Sequence, residues 1–176
     1  KLVTGVQTCA LPISTNSLVT NTWNHVAATR DSSNIIRVFI NGNLEKTGST
    51  DTSLYDFGQG GTCIGDSPWD GASGWYSGYI SNLRIVKGQA LYTSAFTPST
   101  TPLTTTSQGV TSANVSLLTC QSNVPVTSSN FIDNSTNNFL ITRNGDTNAG
   151  TLSPYGESWS NYFSGTTDNL RLSSSA

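Results

Sequence analysis

The chain has 176 residues and a formal net charge of −2, and only 10% of its residues are charged, against roughly 25% in ordinary soluble domains. It has no basic patch, which argues against nucleic-acid binding. It also has no apolar run near the roughly 18 residues of a membrane span, so we expect none. Helix formers are scarce and β-branched residues abundant, which predicts an all-β protein of one domain or parts of two.

Residues 1–13 differ in texture from the rest of the chain. From Val3 to Ile13 the segment resembles the translation of a sequencing-adapter oligonucleotide. The alternative is a secretory signal remnant. We therefore treat 1–13 as an unstructured artefact. Because the sequence contains no methionine, we expect a processed product or a metagenomic fragment of a longer reading frame.

Short strand signals follow one another through the first half. The segment Ile35–Ile40 alternates, with Ile36, Val38 and Ile40 on one face. Asn41–Gly42 follows it and predicts a type I′ hairpin turn, because both central positions favour positive φ. The other strands predicted in this half are Trp23–Thr29, Leu44–Thr47, Thr62–Ile64 and Gly78–Val86.

Small polar residues and prolines dominate the chain after Val86. We interpret 104–116 as a Ser/Thr-rich linker of extended backbone. Strand signals resume in the last third of the chain. They cover Leu117–Gln121, Asn138–Arg143 before a second turn at Asn144–Gly145, Ser160–Ser164 and Asn169–Leu172. Several short strands separated by turns are typical of a sandwich.

Three motifs carry a resemblance to a known family. They are Asn21-Thr-Trp-Asn-His-Val-Ala-Ala-Thr-Arg30, Arg37-Val-Phe-Ile-Asn-Gly42 and Gly78-Tyr-Ile-Ser-Asn-Leu-Arg-Ile85. In this order they resemble the concanavalin A-like lectin/glucanase superfamily, and within it the laminin-G-like repeats. Leu91-Tyr-Thr-Ser-Ala-Phe-Thr-Pro98 resembles the end of such repeats in tailed-phage virion proteins and bacterial surface proteins. The resemblance implies an antiparallel β-sandwich of the jelly-roll type.

The second half resembles the beginning of such a repeat, through Leu117–Cys120, Phe131–Phe139 and Asn161–Leu170. We therefore expect 14–103 to be the C-terminal half of one unit, and 117–176 the N-terminal half of the next. The sandwich would then be incomplete or permuted. The opening strands of the second unit would pair with the closing strands of the first, as in a circular permutant.

The segment between Gly65 and Gly78 is the most informative candidate site. Asp66, Trp69, Asp70 and Trp75 lie in it among several glycines. Aromatic rings stack on the apolar faces of sugars, and carboxylates accept hydrogen bonds from their hydroxyls. Asp66 and Asp70 also offer oxygens to a calcium ion, the one cofactor we consider. The alternative is structural: aromatic residues pack into the sandwich edge while the glycines turn the chain.

Several other aromatic, titratable and cysteine residues fit a structural role better than a functional one. We expect Tyr76, Trp23 and Phe39 or its neighbours in the core, and His25 as a partly buried strand residue with a satisfied ring. Asp133 is expected to cap a turn through its own backbone. Cys63 and Cys120 fit two buried small apolar residues better than a disulfide.

Enzymatic chemistry is not expected. Glycosidases of this superfamily need an acid and a nucleophile roughly 5–10 Å apart, but the only glutamates, Glu45 and Glu157, are far apart in sequence. The motif Gly65-Asp-Ser67 is a weak hydrolase signal without a positioned base. An enzyme fragment whose catalytic strand is missing stays an alternative.

These observations together predict a non-enzymatic carbohydrate-binding or adhesion module. It would belong to a phage tail fibre, a virion appendage or a cell-surface repeat protein, and so act on a virion or outside a cell. Its expected partners are surface glycans and neighbouring repeats of the same chain, with weak single sites acting through multivalency. A ligand-free spacer or a capsid-decorating domain is the other alternative.

Overall fold

The computed structural model describes residues 14–53, 63–65, 76–121, 131–145, 147, 149 and 152–155. The described chain is almost entirely strand and loop, and its strands pair antiparallel, which confirms the all-β prediction. The strands are β1 (Val26–Arg30), β2 (Ile35–Ile40), β3 (Asn43–Thr50), β4 (Leu83–Val86) and β5 (Val115–Thr119). Two 3-10 helices, Ser107–Gly109 and Ser112–Asn114, precede β5.

The first sheet has the order β1–β2–β3. Its centre, β2, spans the residues that the alternation predicted. The hairpin turn between β2 and β3 is confirmed, because φ is 51° at Asn41 and 81° at Gly42. Gly42 is required there: a Cβ at this position would lie 2.0 Å from the Phe96 carbonyl oxygen. The return strand β3 is longer than the predicted Leu44–Thr47.

Asp31 organises the turn between β1 and β2. Its Oδ1 accepts hydrogen bonds from the backbone N–H groups of Ser33 and Ile35, at 2.9 and 3.0 Å. Its Oδ2 pairs with Arg37 at 2.6 Å. The hydrogen bond from Arg37 is the main reason why the pKa of Asp31 lies below its usual value. This carboxylate therefore fixes the register with which β2 enters the sheet.

The second sheet pairs β4 with β5, and Ile85 lies opposite Leu117. This is the pairing expected between strands from the two halves of the chain. The segment 104–116 between them was expected to be extended. Instead it contains the two 3-10 helices and the start of β5, and Val110 between the helices is buried. Whether the two strands belong to different repeats stays a prediction.

The described core has two parts. In the first part, Phe39 of β2 is fully buried, and Ile36 and Ile40 of the same strand are buried as well. The other part joins Val86 and Leu91 to four buried residues, which are Leu103, Val110, Val115 and Leu118. The prediction for Phe39 is confirmed. Residues that sequence reasoning assigned to a linker thus supply part of the apolar interior.

Other strand predictions are wrong where the structure describes the chain. Residues 78–82 and 138–143 lie outside strands, and Ile132–Leu140 is an isolated bridge. Cys63 and Ile64 also lie outside strands. Trp23 was expected in the core, but it is 37% exposed. The predictions for 1–13, Ser160–Ser164 and Asn169–Leu172 lie outside the described residues.

Candidate functional site

The four residues predicted to bind a ligand lie outside the described residues, as does their predicted calcium site. These residues are Asp66, Trp69, Asp70 and Trp75. The structure does describe the two residues that flank their segment. The backbone N–H of Tyr76 donates to the carbonyl oxygen of Gly65 at 2.9 Å. This bond brings both ends of the segment together, and Gly65 reaches it with a φ of 81°.

Three exposed residues, two of them aromatic, follow this bond along the chain. We call the residues Tyr76, Tyr79 and Ile80 the tyrosine surface; their side chains are 57%, 62% and 41% exposed. The prediction that Tyr76 belongs to the core is therefore wrong. Its side chain lies outside because the chain between 76 and 80 runs along the surface without entering a sheet.

Two glycines lie close to side chains of the tyrosine surface. A Cβ at Gly78 would lie 2.9 Å from the Tyr76 Oη and 3.0 Å from two of its ring carbons, so the ring rests against the Gly78 backbone. A Cβ at Gly65 would lie 3.7 Å from the Cδ1 of Ile80. A side chain at residue 78 would displace the Tyr76 ring. The Tyr-Ser-Gly-Tyr pattern of 76–79 is the sequence signal for this surface, and sequence reasoning missed it.

The tyrosine surface has the chemistry of a sugar-binding platform. It offers two aromatic rings with hydroxyl groups and one aliphatic side chain, and no residue from 76 to 80 carries a charge. A tyrosine contributes an apolar ring face and a polar hydroxyl in one side chain. These are the two contacts that a neutral sugar offers, through its C–H faces and its hydroxyl groups.

A second aromatic cluster packs around buried Phe39, and its other three rings are half-buried. Tyr92 and Phe96 stack with ring centroids 3.5 Å apart, and both meet Phe39 edge to face. His25, just before β1, meets Phe96 edge to face at 5.4 Å. The segment that carries Tyr92 and Phe96 is tied to the first sheet by two hydrogen bonds. Thr29 Oγ1 donates to the Tyr92 carbonyl oxygen at 2.8 Å, and the Phe96 N–H donates to the Gly42 carbonyl oxygen at 2.9 Å.

His25 differs from its prediction in two respects. It is partly buried as expected, but it lies just before β1 instead of in a strand, and its Nδ1 has no hydrogen-bond partner in the structure as described. Burial first, and then the positive charge of Arg84, lower the pKa of His25. The ring is therefore neutral at neutral pH and fits the aromatic cluster as a packing residue.

Arg84 connects the second sheet to the turn at 104–107. From β4, its Nη1 donates to the carbonyl oxygens of Thr104 and Ser107, both at 2.9 Å, and to the Ser107 Oγ at 3.0 Å. Its positive charge also lies close enough to Tyr92 to oppose the rise in the pKa of Tyr92 that burial causes. One guanidinium thus satisfies three acceptor atoms of a single turn, a role that no sequence pattern indicated.

Asp133 caps its turn as predicted and also reaches β5. Its Oδ1 accepts from the backbone N–H groups of Ser135 and Leu118, and its Oδ2 accepts from the Phe139 N–H and the Ser135 hydroxyl, all at 2.8–3.0 Å. Burial raises the pKa of this carboxyl group, but the hydrogen bonds outweigh burial and hold it below the usual value. Asp133 is thus a charged structural anchor.

The described residues show no metal cluster and no nucleophile with a base. They contain no group of three or more His, Cys, Asp or Glu side chains that could hold a metal ion. Cys63 and Cys120 are both free thiols. Cys120 is partly buried, which raises the pKa of its thiol, whereas Cys63 is exposed, so its expected burial is wrong. Among the described helices, none is long and apolar enough to cross a membrane.

Comparison with known proteins gives one match. A laminin-G-type family model, described as the concanavalin A-like lectin/glucanases superfamily, matches residues 4–94. The match includes β1 to β4, the tyrosine surface and residues 4–13, whose interpretation as an adapter stays a prediction. No curated protein and no solved structure matches the chain.

Proposed function

The chain belongs to the concanavalin A-like lectin/glucanases superfamily, and we propose its function on that basis. The family model matches residues 4–94, more than half of the chain. Domains of this superfamily often bind carbohydrate. The function proposed is that of a non-enzymatic carbohydrate-binding module. The tyrosine surface is the single observation that supports it most, because its uncharged aromatic chemistry complements a neutral sugar.

The proposal extends to the sequence-predicted residues. Trp69 and Trp75 would supply aromatic rings for stacking on a sugar, and Asp66 and Asp70 would accept hydrogen bonds from sugar hydroxyls or hold a calcium ion. The hydrogen bond between Gly65 and Tyr76 supports this extension, because it places the start and the end of that segment beside the tyrosine surface.

The biological setting we propose is attachment. The module would belong to a tail fibre, a virion appendage or a cell-surface repeat protein and would act on a virion or outside a cell. Its low charge and hydroxyl-rich composition support contact with glycans through neutral groups. Neighbouring repeats would multiply weak single sites into useful avidity.

A glycan array tests this function. The full chain is displayed in multivalent form, and its binding is compared with and without a calcium chelator. Hits are then measured with Tyr79→Ala and with Phe139→Ala, the matched control. Phe139 is another exposed aromatic residue, at 56% exposure, and lies outside the tyrosine surface. We expect Tyr79→Ala to weaken binding about tenfold, the effect of losing one stacked ring.

The control should bind like the unmodified chain. Binding that Tyr79→Ala and Phe139→Ala weaken equally would contradict the assignment of the site. An array without any hit would favour a ligand-free spacer or a capsid-decorating domain. Cleavage of an arrayed glycan would overturn the non-enzymatic assignment and favour the enzyme alternative.

A further inference from the structure

The chain contains two Asn-Gly pairs in described turns, Asn41–Gly42 and Asn144–Gly145, and their surroundings differ. We propose that Asn144 is a site of spontaneous deamidation in the folded protein and that Asn41 is protected from it. The two pairs share the same local chemistry, because glycine places no side chain in the way of its own nitrogen. Their difference therefore comes from the fold.

Hydrogen bonds restrain both the side chain and the backbone of Asn41. Its Oδ1 accepts a hydrogen bond from the His25 backbone N–H at 2.8 Å, and its Nδ2 donates to the Asn24 Oδ1 at 3.3 Å. Its own backbone N–H donates to the His25 carbonyl oxygen at 2.8 Å. Gly42 is buried, and its carbonyl oxygen accepts from the Phe96 N–H. Neither the amide side chain nor the glycine nitrogen can move without breaking this turn.

Asn144 and Gly145 are both exposed. A Cβ at Gly145 would meet no atom within 4 Å, so the glycine is surrounded by open space. The turn also differs from the predicted hairpin: φ is positive at Gly145 but not at Asn144, and 138–143 does not form a strand. No strand pairing therefore restrains this backbone among the described residues.

The reaction needs only water. The Gly145 backbone nitrogen loses its proton and attacks the Asn144 Cγ, so that an N–Cγ bond forms and the Cγ–Nδ2 bond breaks. The Nδ2 leaves as ammonia and takes up the proton, which leaves a five-membered succinimide. Water then adds across one of the two imide C–N bonds and gives aspartate or isoaspartate. Each event replaces a neutral amide with a carboxylate at residue 144.

Peptide mapping by mass spectrometry tests the proposal. The full chain is incubated in mildly alkaline buffer, once native and once in strong denaturant, and deamidation is followed at both sites over time. In the native sample we expect Asn144 to react faster than Asn41 by about tenfold or more, because Asn41 reacts only when its turn opens. In denaturant the two rates should become similar.

A variant separates the two sites. Asn144→Gln should remove most of the native ammonia release, because glutamine would need a larger ring. Equal native rates at residues 41 and 144, or faster reaction at 41, would overturn the proposal. A native rate ratio that persists unchanged in denaturant would also overturn it, because the difference would then come from neighbouring residues rather than from the fold.

Discussion

At the scale of single residues, buried Asp133 and partly buried His25 differ in how well their polar atoms are hydrogen-bonded. Asp133 is charged and satisfied by four donors. His25 is neutral and has an Nδ1 without a partner in the described structure. A buried polar group costs free energy when it is unpaired and little when it is fully hydrogen-bonded. The two residues should therefore govern stability in different pH ranges.

Acidification should act first through His25, the only histidine. Its pKa in the folded state lies below the usual value of 6.5, because the ring is partly buried. The folded state therefore binds fewer protons than the unfolded one, and stability falls as pH drops from about 6.5 toward the folded pKa. Urea titrations between about pH 7 and pH 5 should show this loss, and His25→Gln should remove it. A loss that persists in His25→Gln would contradict this cause.

Replacing the carboxylate of Asp133 should destabilise the chain at neutral pH. Asp133→Asn keeps the side-chain size but replaces one acceptor oxygen with a donor that faces other donors. We expect a loss of about 1–3 kcal/mol in the free energy of unfolding, measured by urea titration. The pKa of Asp133 is lowered, so its contribution is present above about pH 4 and is lost as pH falls through the folded pKa.

Asn137→Ala is the matched control for Asp133→Asn. Asn137 lies on the same segment, is exposed, and donates one hydrogen bond to the Ser116 carbonyl oxygen at 2.9 Å. Its loss should amount to less than about 1 kcal/mol. If both variants lose equal stability, the four-donor arrangement around Asp133 is not the source of the effect.

At the scale of elements, local signals were sufficient where the strand and its partner are neighbours in sequence. The β2 strand and its turn at Asn41–Gly42 were predictable because alternation and turn chemistry act within a few residues. The burial of Val110 and the exposure of Tyr76 were not, because both depend on how distant segments meet. The loss of the expected strand at 138–143 has the same cause, since strand pairing is decided by a partner.

The β2–β3 turn should tolerate no side chain at Gly42. Gly42→Ala would combine a positive φ with a Cβ 2.0 Å from the Phe96 carbonyl oxygen. We expect a loss of at least about 3 kcal/mol in the free energy of unfolding. Gly109 also has a positive φ, at 74°, but open space around it. Gly109→Ala should lose only about 1 kcal/mol, and equal losses would show that the contact with Phe96 does not matter.

At the scale of the whole molecule, the described parts are joined by a few polar side chains as well as by apolar packing. Arg84 is the main example, because from β4 it donates hydrogen bonds to two carbonyl oxygens of the turn at 104–107. We therefore expect the loss of Arg84 to destabilise the turn at 104–107 more than it destabilises the first sheet.

Hydrogen exchange can measure that dependence. In Arg84→Gln, amides within 104–109 should exchange faster by about tenfold or more, because the Thr104 and Ser107 carbonyl oxygens lose their guanidinium donor and the turn opens more often. Amides of β2 should keep most of their protection. Equal acceleration in β2 and in 104–109 would mean that Arg84 supports global stability instead of this turn.

The central claim is that the tyrosine surface binds neutral sugar. The most direct test follows the aromatic ring protons of tyrosine and phenylalanine by NMR while the best array glycan is added to the full chain. We predict that signals from Tyr76 and Tyr79 shift in a saturable way, while those of half-buried Tyr92 and of exposed Phe139 stay in place. Saturable shifts confined to other residues, or no shifts at a glycan concentration that saturates the array signal, would contradict the claim.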